Sequence, residues 1–484
     1  MNHSRQAATG ALIIPGILGA FLLLSSGFDL IPQLGVFNAK RLLELTVLLT
    51  ILLTALLSPT VRQSLAGQLG RIPRWAGLFL VLAAGLGIIS ALRFPHPGYG
   101  LADVTMLAVL VISMLVVAAC RAAVGGRFDR LAILVIALLG IVVALQEFTG
   151  LLAGWSMGIE FSYQQMLIRF AHPRFYNQIQ SWTIPALAAL PFILGGGPRL
   201  KIAAVFLLGL QWCLLLMTGG RGSFASLITA LVLLALLVPR LRMSWLRLHL
   251  GGVALGFALY AAVLAGHSIL APGGGGFVEQ SLGRAMMHTS GRSHLWSLAW
   301  EDAVANPWLG AGPMRFDCAG PALHPAHPHN FALQLLAEWG FPATLLILAV
   351  CAYLGWALLR RLRLQPGSGD ELHIMQTMLG AGVIAAALHA CLSGLLIMPA
   401  SQVTAVLICG WLLGALPATH PQRGTRRRLA LLAVITGMVL CLGILTFSIH
   451  EIRHIEMRTE ALRLAAPASP RFWQDGRVCL YSYN

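Results

Sequence analysis

Apolar segments of about 17 to 25 residues, separated by short polar ones, recur along the whole chain, and each could cross a bilayer as a helix. We predict about thirteen such spans from this pattern. They lie near residues 10–27, 41–58, 75–92, 102–120, 131–148, 178–195, 201–218, 223–239, 249–266, 331–358, 375–396, 400–417 and 429–448. The pattern therefore predicts an all-α polytopic membrane protein with about 12–13 transmembrane helices.

Charged residues are few and unevenly placed. Hydrophobic residues make up 57% of the chain and charged residues 10%, against roughly 25% charged in soluble domains. The net charge of +16 is compatible with nucleic-acid binding, but the basic residues cluster in alternate short loops. The clusters lie near residues 62–74, 121–130, 199–201, 240–247, 360–363 and 423–428. This positive-inside pattern predicts cytoplasmic loops, a cytoplasmic N-terminus, an external tail, contact with membrane lipids and no nucleic-acid partner.

Three polar segments are predicted on the outer face: residues 149–177, residues 267–330 and the tail from about residue 450. The middle one is the longest between two spans, and it is too rich in Trp, Phe and His for simple disorder. We therefore predict N-terminal transmembrane helices over 1–200, a core over 201–448 that includes loop 267–330, and an external tail over 449–484.

The stretch "HPAHPHNFALQLLAEWG" (residues 324–340) ends that loop and begins a span. Its two prolines favour extended or turn geometry, and Asn330 is a favourable N-cap for the helix that follows. His324, His327 and His329 are thus predicted on a shaped, non-helical segment at the membrane surface. They are compatible with a zinc site, with a loop whose imidazoles only cap backbone groups, or with a histidine general base.

Polar side chains continue from the histidines into the predicted helix. Asn330, Gln334 and Glu338 are four residues apart, so they share one helix face. A glutamate about two turns inside a span is costly and marks a site or a pathway. A transporter with a relay of Glu338, His389 and Arg221 is a competing hypothesis, but we find no inverted repeat in the sequence.

Arginines in the outer segments could bind an anion. Arg221 lies in "TGGRGS" at the start of a span, where it could snorkel to the interface or, beside a helix N-terminus, form a phosphate cradle. Arg292 precedes an aromatic stretch in the long loop and could add a second cation. Arg174 lies in residues 168–187, whose polar side chains are compatible with contact to a lipid headgroup or a glycan, or with helix packing.

These passages together resemble the O-antigen ligase superfamily, which also includes O-antigen polymerases and bacterial protein O-oligosaccharyltransferases. "TGGRG" is similar to its Arg-Gly signature, and "GRSHLWSLAWEDAVANPWLGAGPMRF" to the stretch that ends in Gly-x-Gly in its large periplasmic loop. "HPHNFALQLLAEWGFPA" resembles its His-x-His-Asn and Glu-x-Gly motif. The resemblance covers roughly residues 200–345.

The resemblance implies a GT-C-type glycosyltransferase architecture in the bacterial inner membrane, with the active site facing the periplasm. It implies inverting, metal-independent transfer of a glycan from undecaprenyl diphosphate, without a cofactor, to lipid A–core, to a protein hydroxyl or to a growing glycan. By motif position, His329 is the catalytic histidine, and Arg221 and Arg292 bind the donor diphosphate. His327, Asn330, Glu338 and Arg174 are predicted to support the site or to contact substrate.

Two features depart from the usual ligases, which commonly have twelve spans and a cytoplasmic C-terminus. The predicted external tail is closer to the protein O-oligosaccharyltransferases, although it is shorter than their usual periplasmic domain. Cys318 and Cys479 are the two cysteines predicted in the oxidising compartment, and we expect them to form a disulfide that holds the tail beside the histidines.

Overall fold

The computed structural model describes residues 2–28, 30–94, 97–158, 166–270, 291–318, 325–364, 369–416, 424–463 and 470–474. These ranges contain α-helices, turns and short 3-10 helices, and no strand within them. The first helices are α1 (Asn2–Gly27), α2 (Gly35–Leu57), α3 (Pro59–Leu69), α4 (Arg74–Leu92), α5 (Gly98–Val124), α6 (Gly126–Ser156), α7 (Pro173–Leu187) and α8 (Leu190–Ile193). The remaining ones are α9 (Pro198–Met217), α10 (Arg221–Leu237), α11 (Arg242–Leu270), α12 (Arg292–Ala305), α13 (Phe331–Leu364), α14 (Asp370–Ala390), α15 (Pro399–Ala415) and α16 (Gly424–Arg463).

The predicted all-α polytopic membrane architecture is confirmed. In the described part of the chain, nine helices are long and apolar enough to cross a membrane, or ten if the bent pair α2–α3 forms one span. Every predicted segment overlaps a helix. However, α7, α10 and α15 have only 15, 17 and 17 residues, so nine or ten of the predicted spans have full length.

The chain turns by 101° between α2 and α3. Ser58 has extended backbone geometry and its hydroxyl accepts a hydrogen bond from the Val61 N–H at 3.4 Å, while Pro59 occupies the first helical position. A serine N-cap followed by proline is a strong start signal for a new helix. The hydrophobic pattern had ended a span at residue 58 without predicting α3, because α3 is not a long apolar run.

The two short helices α7 and α15 lie at the centre of the bundle, and nearly all of their side chains are buried. Helix α7 packs against α14, and α15 packs against α5. A span that is buried on all sides does not need to match the full thickness of the bilayer, because its ends contact protein instead of lipid. The central position therefore explains why these helices are short.

Helix α13 is broken at Gly340, which has φ 76°. The break exposes backbone carbonyls that are satisfied from the long loop. The Ala311 N–H donates to the carbonyl of Ala337 at 2.7 Å, and the Gly312 N–H donates to that of Glu338 at 3.0 Å. The loop backbone is thus docked on the helix at Glu338.

The glycines at this contact are required by space. A Cβ on Gly310 would lie 2.3 Å from the backbone carbon of Glu338, and a Cβ on Gly340 would lie 2.7 Å from the carbonyl of Trp308. Both residues also have positive φ, which side chains disfavour. The Gly-x-Gly stretch therefore brings the backbone of the long loop into contact with that of α13.

Candidate active site

Residues 325–330, which we term the His loop, precede α13. The Asn330 side chain accepts a hydrogen bond from the Leu333 N–H at 3.1 Å, which confirms the predicted N-cap. His327 Nδ1 accepts one from the His329 N–H at 3.2 Å, and the two imidazole rings are 4.1 Å apart. His329 has φ 56°, a left-handed conformation that non-glycine residues adopt mostly where the surroundings hold them, often at functional sites.

Neighbouring segments hold the His loop on two sides. The imidazole of His327 is 3% exposed and lies against Gly394, where an added Cβ would be 2.6 Å from the ring. From the other side, the indole N–H of Trp296 on α12 donates to the carbonyl of Pro328 at 3.1 Å. The loop is therefore fixed between α12 and the turn that follows α14.

Three arginines, each at the start of a helix, lie near one another, and two of them, Arg174 and Arg292, lie near His329. Arg221 and Arg292 are the first residues of α10 and α12, and Arg174 is the second residue of α7. Burial, together with the charges of Arg174 and Arg221, lowers the pKa of Arg292. Burial and the charges of Arg292 and Arg174 lower the pKa of His329 to about 4. The structure thus brings these four predicted site residues together.

The arrangement suits an anion beside a neutral imidazole. Like charges at close range repel each other, so a negatively charged ligand between the arginines would be favoured. The N-termini of α7, α10 and α12 carry the positive ends of the helix dipoles and add to this preference. With a pKa of about 4, His329 is unprotonated at neutral pH and can accept a proton.

Polar side chains of α7, α10 and α14 form a buried cluster, in which Ser223 lies two residues after Arg221. His389 Nδ1 is 2.8 Å from the hydroxyl of Ser181, and the hydroxyl of Ser223 lies 3.2 Å from its Nε2. The amide nitrogen of Asn177 and the amide oxygen of Gln178 are buried and have no hydrogen-bond partner among the described residues. Of the two functions proposed for residues 168–187, helix packing accounts for Ser181, and the unpaired amides leave glycan contact open.

Glu338 does not face the arginine cluster. It is fully buried and accepts two hydrogen bonds from Arg471, at 2.8 Å to Oε1 and 2.6 Å to Oε2. The N–H of Phe316 donates to the same Oε1 at 3.2 Å. Arg471 also donates to the carbonyl of Ala326, in the His loop, at 3.0 Å. Glu338 therefore contacts the His loop through an arginine of the C-terminal segment.

Arg471 carries a stable charge. Burial lowers its pKa, but the charges of Glu338 and Asp103 outweigh this effect and raise the pKa above its ordinary value. Arg471 was not predicted as a site residue from the sequence, because the tail was assigned to the outer face as a polar segment. The signal in the sequence is the group Arg471-Phe472-Trp473, in which an arginine adjoins two large aromatic residues.

A second arginine holds the same segment in place. Arg41 of α2 is 2% exposed and donates to the carbonyl of Phe472 at 3.0 Å and to that of Ile397 at 2.6 Å. It also pairs with Glu44 at 2.5 Å. Phe472 and Trp473 are buried. Arg41 and Glu44 lie at the start of a predicted span, where buried charges indicate a site or a structural pair. Neither residue was predicted as a site residue from the sequence.

Cys318 is disulfide-bonded, and it lies in a 3-10 helix (Phe316–Cys318) beside Glu338. Its predicted partner Cys479 lies outside the described residues, so the pairing stays a prediction. His324, the first histidine of the candidate zinc site, also lies outside them. Within the described ranges, no three His, Cys, Asp or Glu side chains are arranged to hold a metal ion.

Residues 203–348 match the model of a protein family described as O-antigen ligase. This match supports membership of the chain in the O-antigen ligase superfamily. No curated protein matches the chain. Membership in the superfamily indicates a membrane enzyme for glycosyl transfer of the O-antigen ligase or polymerase type. The matched residues include Arg221, Arg292, His329 and Glu338, whereas Arg174 and Arg471 lie outside them.

Proposed function

We propose that this superfamily member transfers a glycan from an undecaprenyl-diphosphate-linked donor to a hydroxyl of lipid A–core, at the periplasmic face of the bacterial inner membrane. The observation that carries the proposal is the group of Arg174, Arg221 and Arg292 beside an imidazole held neutral at physiological pH. The alternating basic loops support the orientation, because they assign the His loop to the external side.

In the proposed reaction, the acceptor oxygen attacks the anomeric carbon of the glycan as the bond from that carbon to the diphosphate oxygen breaks. The acceptor proton passes to His329 Nε2 or Nδ1, and the electron pair of the broken bond remains on undecaprenyl diphosphate. Arg221 and Arg292 stabilise the negative charge that develops on this leaving group, and their planar guanidinium groups match phosphate oxygens. Direct attack inverts the anomeric centre.

His327 and Asn330 act on this chemistry indirectly. The His327 ring accepts the backbone N–H of His329, and Asn330 fixes the start of α13, so together they set the direction of the His329 side chain. Arg174 lies near enough to both Arg292 and His329 to lower their pKa values. We propose that it contacts the glycan or the outer phosphate, because its side chain is exposed.

Purified protein in detergent tests the proposal when it is mixed with a fluorescent lipid-linked glycan and, separately, lipid A–core or a pilin-like protein. We expect labelled lipid A–core, with the same yield in the presence of a chelator, since the arginines provide the positive charge. Labelled protein alone would indicate an O-oligosaccharyltransferase, and a lengthened lipid-linked glycan a polymerase. If no acceptor is labelled, the proposed transfer is wrong and a transporter, which needs two compartments, becomes the better hypothesis.

The pH dependence of the rate gives an independent check on His329. We expect kcat/KM for the donor to be constant around neutral pH and to fall as the pH drops through about 4, because His329 of the free protein then takes up a proton. Arg292→Gln removes a charge that lowers this pKa, so the acid limb should move to higher pH. Arg292→Lys keeps the charge and should leave the limb in place. An acid limb that is identical in Arg292→Gln and wild type would contradict the assignment of His329 as base.

A further inference from the structure

We propose that Arg471 is a positioning residue, which holds the His loop in the geometry that lets His329 reach the acceptor. This inference rests on the proposed function, because it assumes that His329 accepts the proton. It assigns a role in catalysis to the C-terminal segment 470–474, which lies outside the matched family region.

Arg471 contacts three parts of the protein. Its guanidinium binds both carboxylate oxygens of Glu338 and the carbonyl of Ala326, and it lies 3.8 Å from the carboxylate of Asp103. These partners belong to α13, to the His loop and to α5. One side chain that is 1% exposed therefore connects the catalytic loop to two helices of the bundle.

The carbonyl that Arg471 binds lies close in the chain to the imidazole of His329. Ala326 is three residues before His329, and His327 between them bonds to the His329 N–H. The left-handed backbone of His329 costs energy, so it needs a loop whose ends are held. Releasing the carbonyl of Ala326 would let the loop relax and turn the imidazole away.

Arg471 is a charged residue in a buried position. A buried ion pair contributes little stability compared with apolar residues of similar size. A methionine in place of Arg471 could fill the space, but it could not donate to the carbonyl of Ala326. The planar guanidinium, in contrast, donates to Glu338 and to the loop at the same time. These contacts therefore indicate that Arg471 fixes the geometry of the His loop and does not only stabilise the bundle.

The segment itself is held from the other side. Arg41 donates to the carbonyls of Phe472 and Ile397, and the backbone N–H of Gln474 donates to the side chain of Asn38 at 2.8 Å. Ile397 belongs to the same turn as Gly394, on which the ring of His327 rests. The His loop therefore packs against the turn before α15. The C-terminal segment is bound to α2, which contacts the same turn through Arg41.

The experiment measures turnover, donor KM and amide hydrogen exchange of residues 325–331 in the purified full-length protein. Arg471→Met should lower turnover by about 100-fold and leave donor KM within about two-fold, because it misplaces the base without touching the diphosphate site. Exchange in the His loop should become faster. Arg471→Lys should recover part of the turnover, since it keeps one charged donor but not the fork. Arg363→Met, at an exposed arginine in the last turn of α13, is the matched control.

The single variant leaves Glu338 buried without its partner, which alone could unfold the protein. The double variant Arg471→Met, Glu338→Gln removes both charges, and we expect a folded protein that still shows low turnover and fast exchange. Normal turnover in the double variant would overturn the inference, because Arg471 would then serve only to neutralise Glu338. Unchanged exchange in the His loop of the folded double variant would also overturn it.

The same data separate this inference from the proposed function. If Arg471→Met has normal turnover while His329→Ala is inactive, the positioning role is wrong and the proposed transfer stands. If His329→Ala has normal turnover as well, the assignment of the base is wrong. The exchange measurement still reports whether Arg471 anchors the loop in a protein that transfers no glycan.

Discussion

His329→Ala is expected to lower turnover by roughly 10²–10⁴-fold, the range typical for the loss of a positioned general base. Donor binding should change little, because the arginines that would hold the diphosphate remain in place. The imidazole matters for the reaction only as the acceptor loses its proton, so the defect should appear in kcat and not in KM for the donor.

The measurement is steady-state transfer of labelled glycan, with donor affinity determined separately. His294→Ala is the matched control, since His294 lies on the same long loop, in α12, and its side chain is exposed. It should transfer glycan at the wild-type rate. Near-normal turnover of folded His329→Ala would show that another group accepts the proton, and His327 would be the next candidate.

Arg221→Ala should impair both donor binding and turnover, and it should do so more evenly than the loss of His329. A cation near a diphosphate acts in the bound ground state and more strongly as charge develops on the leaving group. We expect a loss of roughly 10²–10³-fold in kcat/KM, comparable to the removal of one oxyanion donor. The N-terminus of α10 remains and would still favour an anion.

Arg221→Lys separates charge from shape, and it should recover only part of the activity because ammonium lacks the fork that matches two phosphate oxygens. Arg363→Ala, at the other end of the bundle, is the control for the general loss of a positive charge. If Arg221→Ala bound the donor with wild-type affinity and kept wild-type turnover, Arg221 would have only the interfacial snorkelling role.

Features that depend on neighbouring residues were predicted well from the sequence. The spans follow from apolar length, and the N-cap at Asn330 follows from the residue type and the apolar run after it. The grouping of Arg221, Arg292 and His329 came from the family motifs and not from spacing, because these residues are distant in the chain and nothing local relates them.

Features that depend on distant contacts were not predicted. Glu338 was recognised as a costly buried charge, but its partner Arg471 lies 133 positions further along the chain. The short central helices α7 and α15 were expected to be full spans, because hydropathy does not tell lipid from buried protein surroundings. The break in α13 at Gly340 depends on backbone donors from residues 311 and 312, which a helical pattern does not reveal.

The contact between Arg41 and Phe472 joins residues 431 positions apart, so it has a consequence for how the protein is made. At about 5–20 residues per second, roughly 20 to 90 s of translation separate the synthesis of these two residues. For most of that interval α2 is complete, but the carbonyl of Phe472, which Arg41 contacts, has not yet been made. The His loop also emerges before Arg471, which binds it. The His loop therefore cannot take up the geometry described above until Arg471 and Phe472 have been synthesised.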